Sequence, residues 1–173
     1  MLTTSGLPTT PKTERQPAGM LLRLAAMTYE GVLLFGVVFV VSYALLALTR
    51  WTYPLGSGQR TVLQATLFLT LGLYFVYQWH KTGQTLAMKS WHVRLVDGSG
   101  GAPSVARAVL RYVGAWHLFL PGAIWVAFFG GNVINDLVAV ACGLGILLLP
   151  GAFDPRKRLL HDRLSRTYVL RER

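Results

Sequence analysis

The sequence predicts an all-α integral membrane protein: a four-span transmembrane helix bundle with amphipathic cytoplasmic segments and a two-stranded cytoplasmic ribbon. Three observations carry this reading. Hydrophobic residues make up 53% of the 173 and charged residues only 14%, where soluble domains carry about 25%. The apolar residues fall into runs of the length, about 20 residues, that a helix needs to cross a hydrocarbon core about 30 Å thick. The 17 Lys and Arg residues, against 7 Asp and Glu, lie between those runs.

Taken in order, residues 1–18 (MLTTSGLPTTPKTERQPA) are polar and hold three prolines. They read as a disordered cytoplasmic tail ahead of a membrane domain over 19–173. The apolar run that follows is too long for a cleaved signal peptide and lacks a small-x-small cleavage site, so the first helix is expected to be an uncleaved anchor. Residues 31–49 are uncharged, and with the lead-in GMLLRLAAMTYE they make a span near 21–48. Residues 61–79 make a second span. It ends in Tyr74, Tyr77 and Trp79, the residue types that settle at a headgroup boundary. Two more uncharged stretches, 112–135 and 137–153, are separated by FFGGNVIND. Gly130 and Gly131 break the helix there, and Asn132 or Asn135 caps a new one with Asp136 in its first turn, at the positive end of the helix dipole. These give spans near 113–129 and 134–151.

Charge placement supports that count. With four spans and the N-terminus inside, 15 of the basic residues face the cytoplasm and only Arg50 and Arg60 face out. Three spans would leave the seven basic residues of the C-terminal tail outside, against the positive-inside rule. Both termini are therefore expected in the cytoplasm. A net charge of +10 invites a nucleic-acid reading, but the basic residues flank apolar runs and no nucleic-acid-binding motif occurs. The expected partner is the lipid bilayer, including its anionic headgroups, and not nucleic acid.

Between the second and third spans, WHVRLV alternates Trp91, Val93 and Leu95 against His92 and Arg94, which is strand periodicity. DGSGG follows as a turn. PSVARAVLRY then reads as a helix capped by Ser104, with Val105, Val109 and Tyr112 on one stripe and Arg107 and Arg111 on another. Such a basic amphipathic helix is expected to lie in the membrane interface. In the tail, Leu159, Leu160 and Leu164 fall along one side of a short helix, and TYVLR turns strand-like. Either strand alone would expose unpaired backbone groups, so a ribbon between residues near 91–96 and 167–171 is predicted.

Zinc-protease, P-loop, dinucleotide-binding, nucleophile-elbow and paired CxxC patterns are all missing from the sequence. No enzyme activity, cofactor or metal site is expected. His80, His92, His117 and His161 are scattered, and the single cysteine, Cys142, reads as a small apolar packing residue. Arg23 and Glu30 differ from these. Seven residues apart, they share a helix face, with Glu30 roughly 10 Å deeper. An acid in hydrocarbon costs about 2.5–3.5 kcal/mol and marks a functional-site hypothesis. It persists where it faces the bundle interior with a partner, for which Gln84, Thr85, Arg107 and Arg111 are candidates, or where it is protonated. A structural clamp and an ion or substrate site both remain open, and they are not exclusive.

The stretch RLAAMTYEGVLL resembles the opening of the RDD family of bacterial membrane proteins, named for one arginine and two aspartates. Arg23 matches the arginine that begins the first helix. Glu30 stands where the family has its first aspartate, a change that keeps the charge and the ability to carry a proton. GQTLAMKSWHVRLVDGSGGAPSVARAVLRY is similar to the family's central loop, and DPRKRLLHDRLSRTYVL to its ending, where Asp162 matches the second aspartate. The matched Asp162 lies just past the fourth span, at the depth of Arg23, so it is expected to contact Arg23 or the Arg107/Arg111 stripe. Glu30, two turns deeper, has no comparable match in depth. The resemblance implies the bacterial plasma (inner) membrane as the location. The resemblance covers roughly residues 19–170. It implies transport of an unidentified ligand, or sodium/proton antiport as described for some members. The expected function is therefore transport of an ion, by cation/proton exchange, or of a small solute. The expected site is Arg23, Glu30 and Asp162, with Arg107, Arg111 and Gln84 around it. Four short spans make a thin bundle, so a conducting form would be a homo-oligomer. The alternative is a non-transporting membrane scaffold or accessory subunit that binds anionic lipid or a protein partner at its basic cytoplasmic face.

Overall fold

Long uncharged runs of Leu, Val and Phe fold as helices because a helix satisfies all of its own backbone groups where no water can. The computed structural model describes residues 17–153 and 159–172. The remainder of the segment read as a tail, with Lys12 and Arg15, lies outside the described residues, as do Arg156, Lys157, Arg158 and Arg173. Helix α1 (Met20–Thr49) and helix α2 (Ser57–Thr82) are the two described helices long and apolar enough to cross a membrane. None of their most apolar residues is buried within the chain. They are thus not core helices of a soluble fold, and Phe35, Phe39, Leu69 and Leu73 face outward. Helix α2 starts earlier than its apolar run because the Gly56 N–H donates to Gln59 Oε1 at 3.0 Å, which ties down a polar first turn.

Helix α2 ends at Gly83, whose left-handed φ of 71° turns the chain while its N–H still donates to Trp79 O at 3.0 Å. A short helix α3 (Leu86–Ser90), capped by Thr85, leads into strand β1 (Val93–Asp97). Helix α4 (Val105–Ala115) starts at its Ser104 cap. Strand β1 pairs antiparallel with strand β2 (Thr167–Arg171), with Leu95 opposite Val169. The strand begins at Val93 and not at Trp91, because His92 takes a left-handed φ of 50°. Both edges of the ribbon are covered by backbone. Leu95 N–H donates to Gly83 O at 2.7 Å, and Ala18 N–H donates to Val169 O at 3.0 Å.

The third predicted span is not one straight helix. Helix α4 passes into a 3-10 turn (Trp116–Phe119) before helix α5 (Leu120–Phe129). Pro121 has no N–H to continue the helical ladder, which accounts for the irregular turn ahead of it. Helix α5, at about 1.5 Å per residue, is too short to cross a membrane alone. Helix α6 (Val133–Phe153) follows the Gly130–Gly131–Asn132 break, where Asn132 Oδ1 accepts from Ile134 N at 2.9 Å. The α5–α6 hairpin is tight: a Cβ on Gly122 would lie 2.6 Å from Val140 Cγ2.

Two predicted helix faces are corrected. On α4 the buried side carries Ala108, Arg111 and Tyr112, while Val105 and Val109 point outward. On helix α7 (Leu160–Leu164), His161 and Asp162 point inward and Leu160 and Leu164 outward. The reason is common to both: charged groups that pair with one another turn inward, and apolar side chains take the outer face. The core, formed by Ala18, Trp79, Val93, Leu95, Ala108, Tyr112 and Val169, lies where the ribbon meets the start of α1 and the end of α2.

Candidate functional site

Arg23 is one turn into α1, and α7 brings Asp162 up to it. Arg23 Nη1 donates to Asp162 Oδ2 at 2.8 Å. Arg111 Nη1, from α4, donates to Asp162 Oδ1 and to Thr167 Oγ1, the latter at 3.1 Å. The Leu159 N–H also donates to Asp162 Oδ2, at 3.1 Å. The carboxylate is fully buried and tied to α1, α4 and the start of α7 at once. Burial alone would raise its pKa. The charges of Arg111, then His161, then Arg23 act the other way, and the carboxyl is held well below the usual carboxylate range.

Glu30 lies two turns deeper and is held differently. Tyr74 OH donates to Oε1 at 2.6 Å, and the Thr85 hydroxyl donates to Oε2. Thr85 reaches it because the same side chain caps α3, its Oγ1 accepting from Met88 N at 3.3 Å. No Lys, Arg or His lies within ion-pair distance of Glu30 among the described residues. Glu30 borders a cavity of about 440 Å³, which Arg23, Thr85, Arg111 and His161 also line, with mainly apolar side chains elsewhere; Asp162 lies behind its arginine partners and not on the wall.

Of the second-tier residues, Arg111 belongs to the cluster and the other two do not. Arg107 Nη1 pairs with Asp97 Oδ2 at 2.8 Å, across the turn after β1. Gln84 donates to Val93 O at 3.0 Å and to Glu172 Oε2 at 2.9 Å, bracing the ribbon. Four residues escaped the sequence reading. Tyr74 and Trp79 looked like boundary aromatics, yet Tyr74 binds Glu30, and buried Trp79 lies under the Arg111 guanidinium at 5.0 Å. Thr167 and His161 complete the surroundings of Asp162. Tyr74 could have been found by counting depth: it lies eight residues from the end of α2, and Glu30 ten residues into the antiparallel α1. Glu30 does therefore have a match in depth. Among the described residues no three His, Cys, Asp or Glu side chains gather to hold a metal ion.

His161 gives a prediction. Burial first, and the Arg111 charge second, push its pKa down to about 3. The unfolded chain takes up this proton below about pH 6.5, and the folded chain only near pH 3. Stability from this group is level above pH 6.5 and falls by up to about 1.4 kcal/mol per pH unit below it. Asp162 adds to the loss only under more acid conditions, below its unfolded value. Between pH 6.5 and 5 the detergent-solubilised protein should lose about 2 kcal/mol, read by chemical denaturation, and His161→Leu should flatten that slope. An unchanged slope in the variant would refute the assignment.

No curated protein and no solved structure matches the chain. The model of the RDD family matches residues 17–166, most of the 173, with Arg23, Glu30 and Asp162 all inside the match, and the chain therefore belongs to the RDD family.

Proposed function

We propose that this chain is a four-span protein of the bacterial inner membrane that moves a small solute together with, or in exchange for, a proton. Glu30 is the proton-carrying group and the cavity beside it is the solute site. The observation that carries this is the chemistry of Glu30's partners. A hydroxyl both donates and accepts. Tyr74 and Thr85 can donate to the ionised carboxylate, and either can turn to accept from the protonated one. An arginine partner could serve only the charged form. Arg23, Arg111 and Asp162 act beside it as the clamp that holds α1, α4 and α7 around the cavity.

For the topology, the end of α4, the 3-10 turn and α5 together make the third crossing and α6 the fourth. The ribbon joins residues near both ends of the described chain, and most of the described basic residues are at that end. The positive-inside rule then sets both termini in the cytoplasm. A second reading, plain cation/proton exchange, is favoured by the three oxygen-bearing side chains gathered at Glu30, since hard cations take oxygen ligands.

The test uses the full chain in proteoliposomes with an internal pH dye, challenged with Na⁺, Li⁺ and K⁺ gradients and with small organic anions. Proton movement should follow one of these, and Glu30→Gln, which preserves shape and one acceptor, should extract normally and abolish the coupling. Proton flux that survives Glu30→Gln would refute the assignment. A response to a monovalent cation alone would decide for the second reading.

A further inference from the structure

Trp79 and Arg111, which line the cavity, each carry a buried hydrogen-bond donor with no acceptor among the described residues. Trp79 and Arg111 are 7% and 8% exposed. The Trp79 indole N–H and the Arg111 Nε–H both lack a hydrogen-bond partner among the described residues, although the guanidinium lies 5.0 Å over the indole. A buried donor left unsatisfied is destabilising, so such a pair persists best where an acceptor comes and goes. Both donors belong to residues that line the same cavity. One of the two is cationic, so the acceptor that fits is an anion, and two donors match the two oxygens of a carboxylate.

Arg23, Glu30, Thr85 and His161 share this wall, and the remainder is mainly apolar. Leu71, Phe75, Met88 and Leu144 line it, and its volume of about 440 Å³ is in the range of sites that enclose one small ligand, about 300–1,000 Å³. It runs from buried Trp79 out to Met27, which is 41% exposed, so it opens at the apolar surface of α1. Space on this scale suits one alkyl chain and not the two of a phospholipid.

We infer that the cavity binds a single-chain alkyl carboxylate, its head on the Trp79 and Arg111 donors and its chain along α1 and α2. This deepens the transport reading by naming the solute class, and its test needs no gradient.

The probe is a series of saturated carboxylates from hexanoate to tetradecanoate. Each is titrated at equilibrium onto the full chain in zwitterionic-lipid nanodiscs, with empty discs subtracted. Saturable binding of one carboxylate per chain is expected. It should tighten about fourfold per methylene until the cavity is full, while partition into empty discs goes on rising. Trp79→Phe keeps the ring and loses the donor, and should weaken decanoate binding at least about tenfold. Ala115→Phe fills the cavity and leaves the polar wall in place, and should abolish binding. Decylamine should bind at least tenfold more weakly than decanoate. Binding at high salt should survive in discs of anionic phospholipid. Its loss there would mean that a bilayer headgroup takes the polar wall, and would overturn the proposal. So would the lack of saturable binding, equal binding of decylamine, or indifference to both substitutions. A chain that binds decanoate but moves no proton would keep this site and overturn the transport reading. Glu30-dependent proton flux without carboxylate binding would overturn this site alone.

Discussion

Asp162→Ala should lower stability by about 3–5 kcal/mol, because removing one partner of a buried ionic cluster leaves the other charges uncompensated. Here two guanidiniums are affected, since Arg23 and Arg111 both donate to this carboxylate. The Leu159 N–H loses its acceptor as well. A loss of this size is of the order of the whole stability of many domains, about 5–15 kcal/mol, so little folded protein should be recovered from membranes. Asp162→Asn keeps an acceptor and loses the charge, and should fall between the two. The readout is the monodisperse fraction on size exclusion after mild extraction, with denaturation midpoints for what survives. If Asp162→Ala extracts at the wild-type yield and midpoint, the clamp does not hold the helices together.

Gly83→Ala should lower stability by a strained backbone and a clash together. The left-handed backbone, at φ 71°, costs a side chain about 1–2 kcal/mol. The added Cβ would also lie 2.6 Å from Leu95 O. Relief requires the end of α2 to move away from β1, which breaks the Leu95 N–H bond to Gly83 O, about 0.5–1.5 kcal/mol more. The expected total is about 2–3 kcal/mol. Gly98→Ala is the control: nothing lies within 4 Å of its Cβ position, and surface changes of that kind stay within about 0.5 kcal/mol. Equal midpoints for the two variants would show that the α2–β1 junction yields freely.

The elements were legible where a local pattern has one physical meaning. Alternation over WHVRLV and TYVLR, the Ser104 cap and the Gly-Gly-Asn break each led to an observed feature. The helix faces were not legible, because an apolar stripe points inward only when the outside is water. Beside lipid both directions are apolar, so Val105 and Val109 gave no indication of which way α4 turns, and the buried charge of Arg111 decided it. Helix α3 was missed because five residues are too few for a period to register. In the site, the family resemblance singled out Arg23 and Asp162, and their similar depth led to an expected contact of Asp162 with Arg23 or with the Arg107/Arg111 stripe. Arg107 could not be separated from Arg111 on the same stripe until the turn after β1 placed Asp97 beside it. Tyr74 was hidden by its neighbours Tyr77 and Trp79, whose company made it look like part of a boundary belt.

The sequence separation of the contacts at α1 sets an order of events during synthesis. Glu30 meets Tyr74 and Thr85, 44 and 55 residues further on, whereas Asp162 follows Arg23 by 139 residues. At about 5–20 residues per second, Thr85 emerges roughly 3–11 s after Glu30, and Asp162 roughly 7–28 s after Arg23. The deep acid is therefore sheltered while the chain is still growing. The helix that carries it stays unlatched until residue 162 arrives. A nascent chain halted between residues 85 and 162 would hold its acid in place while its first helix still lacked the Asp162 latch.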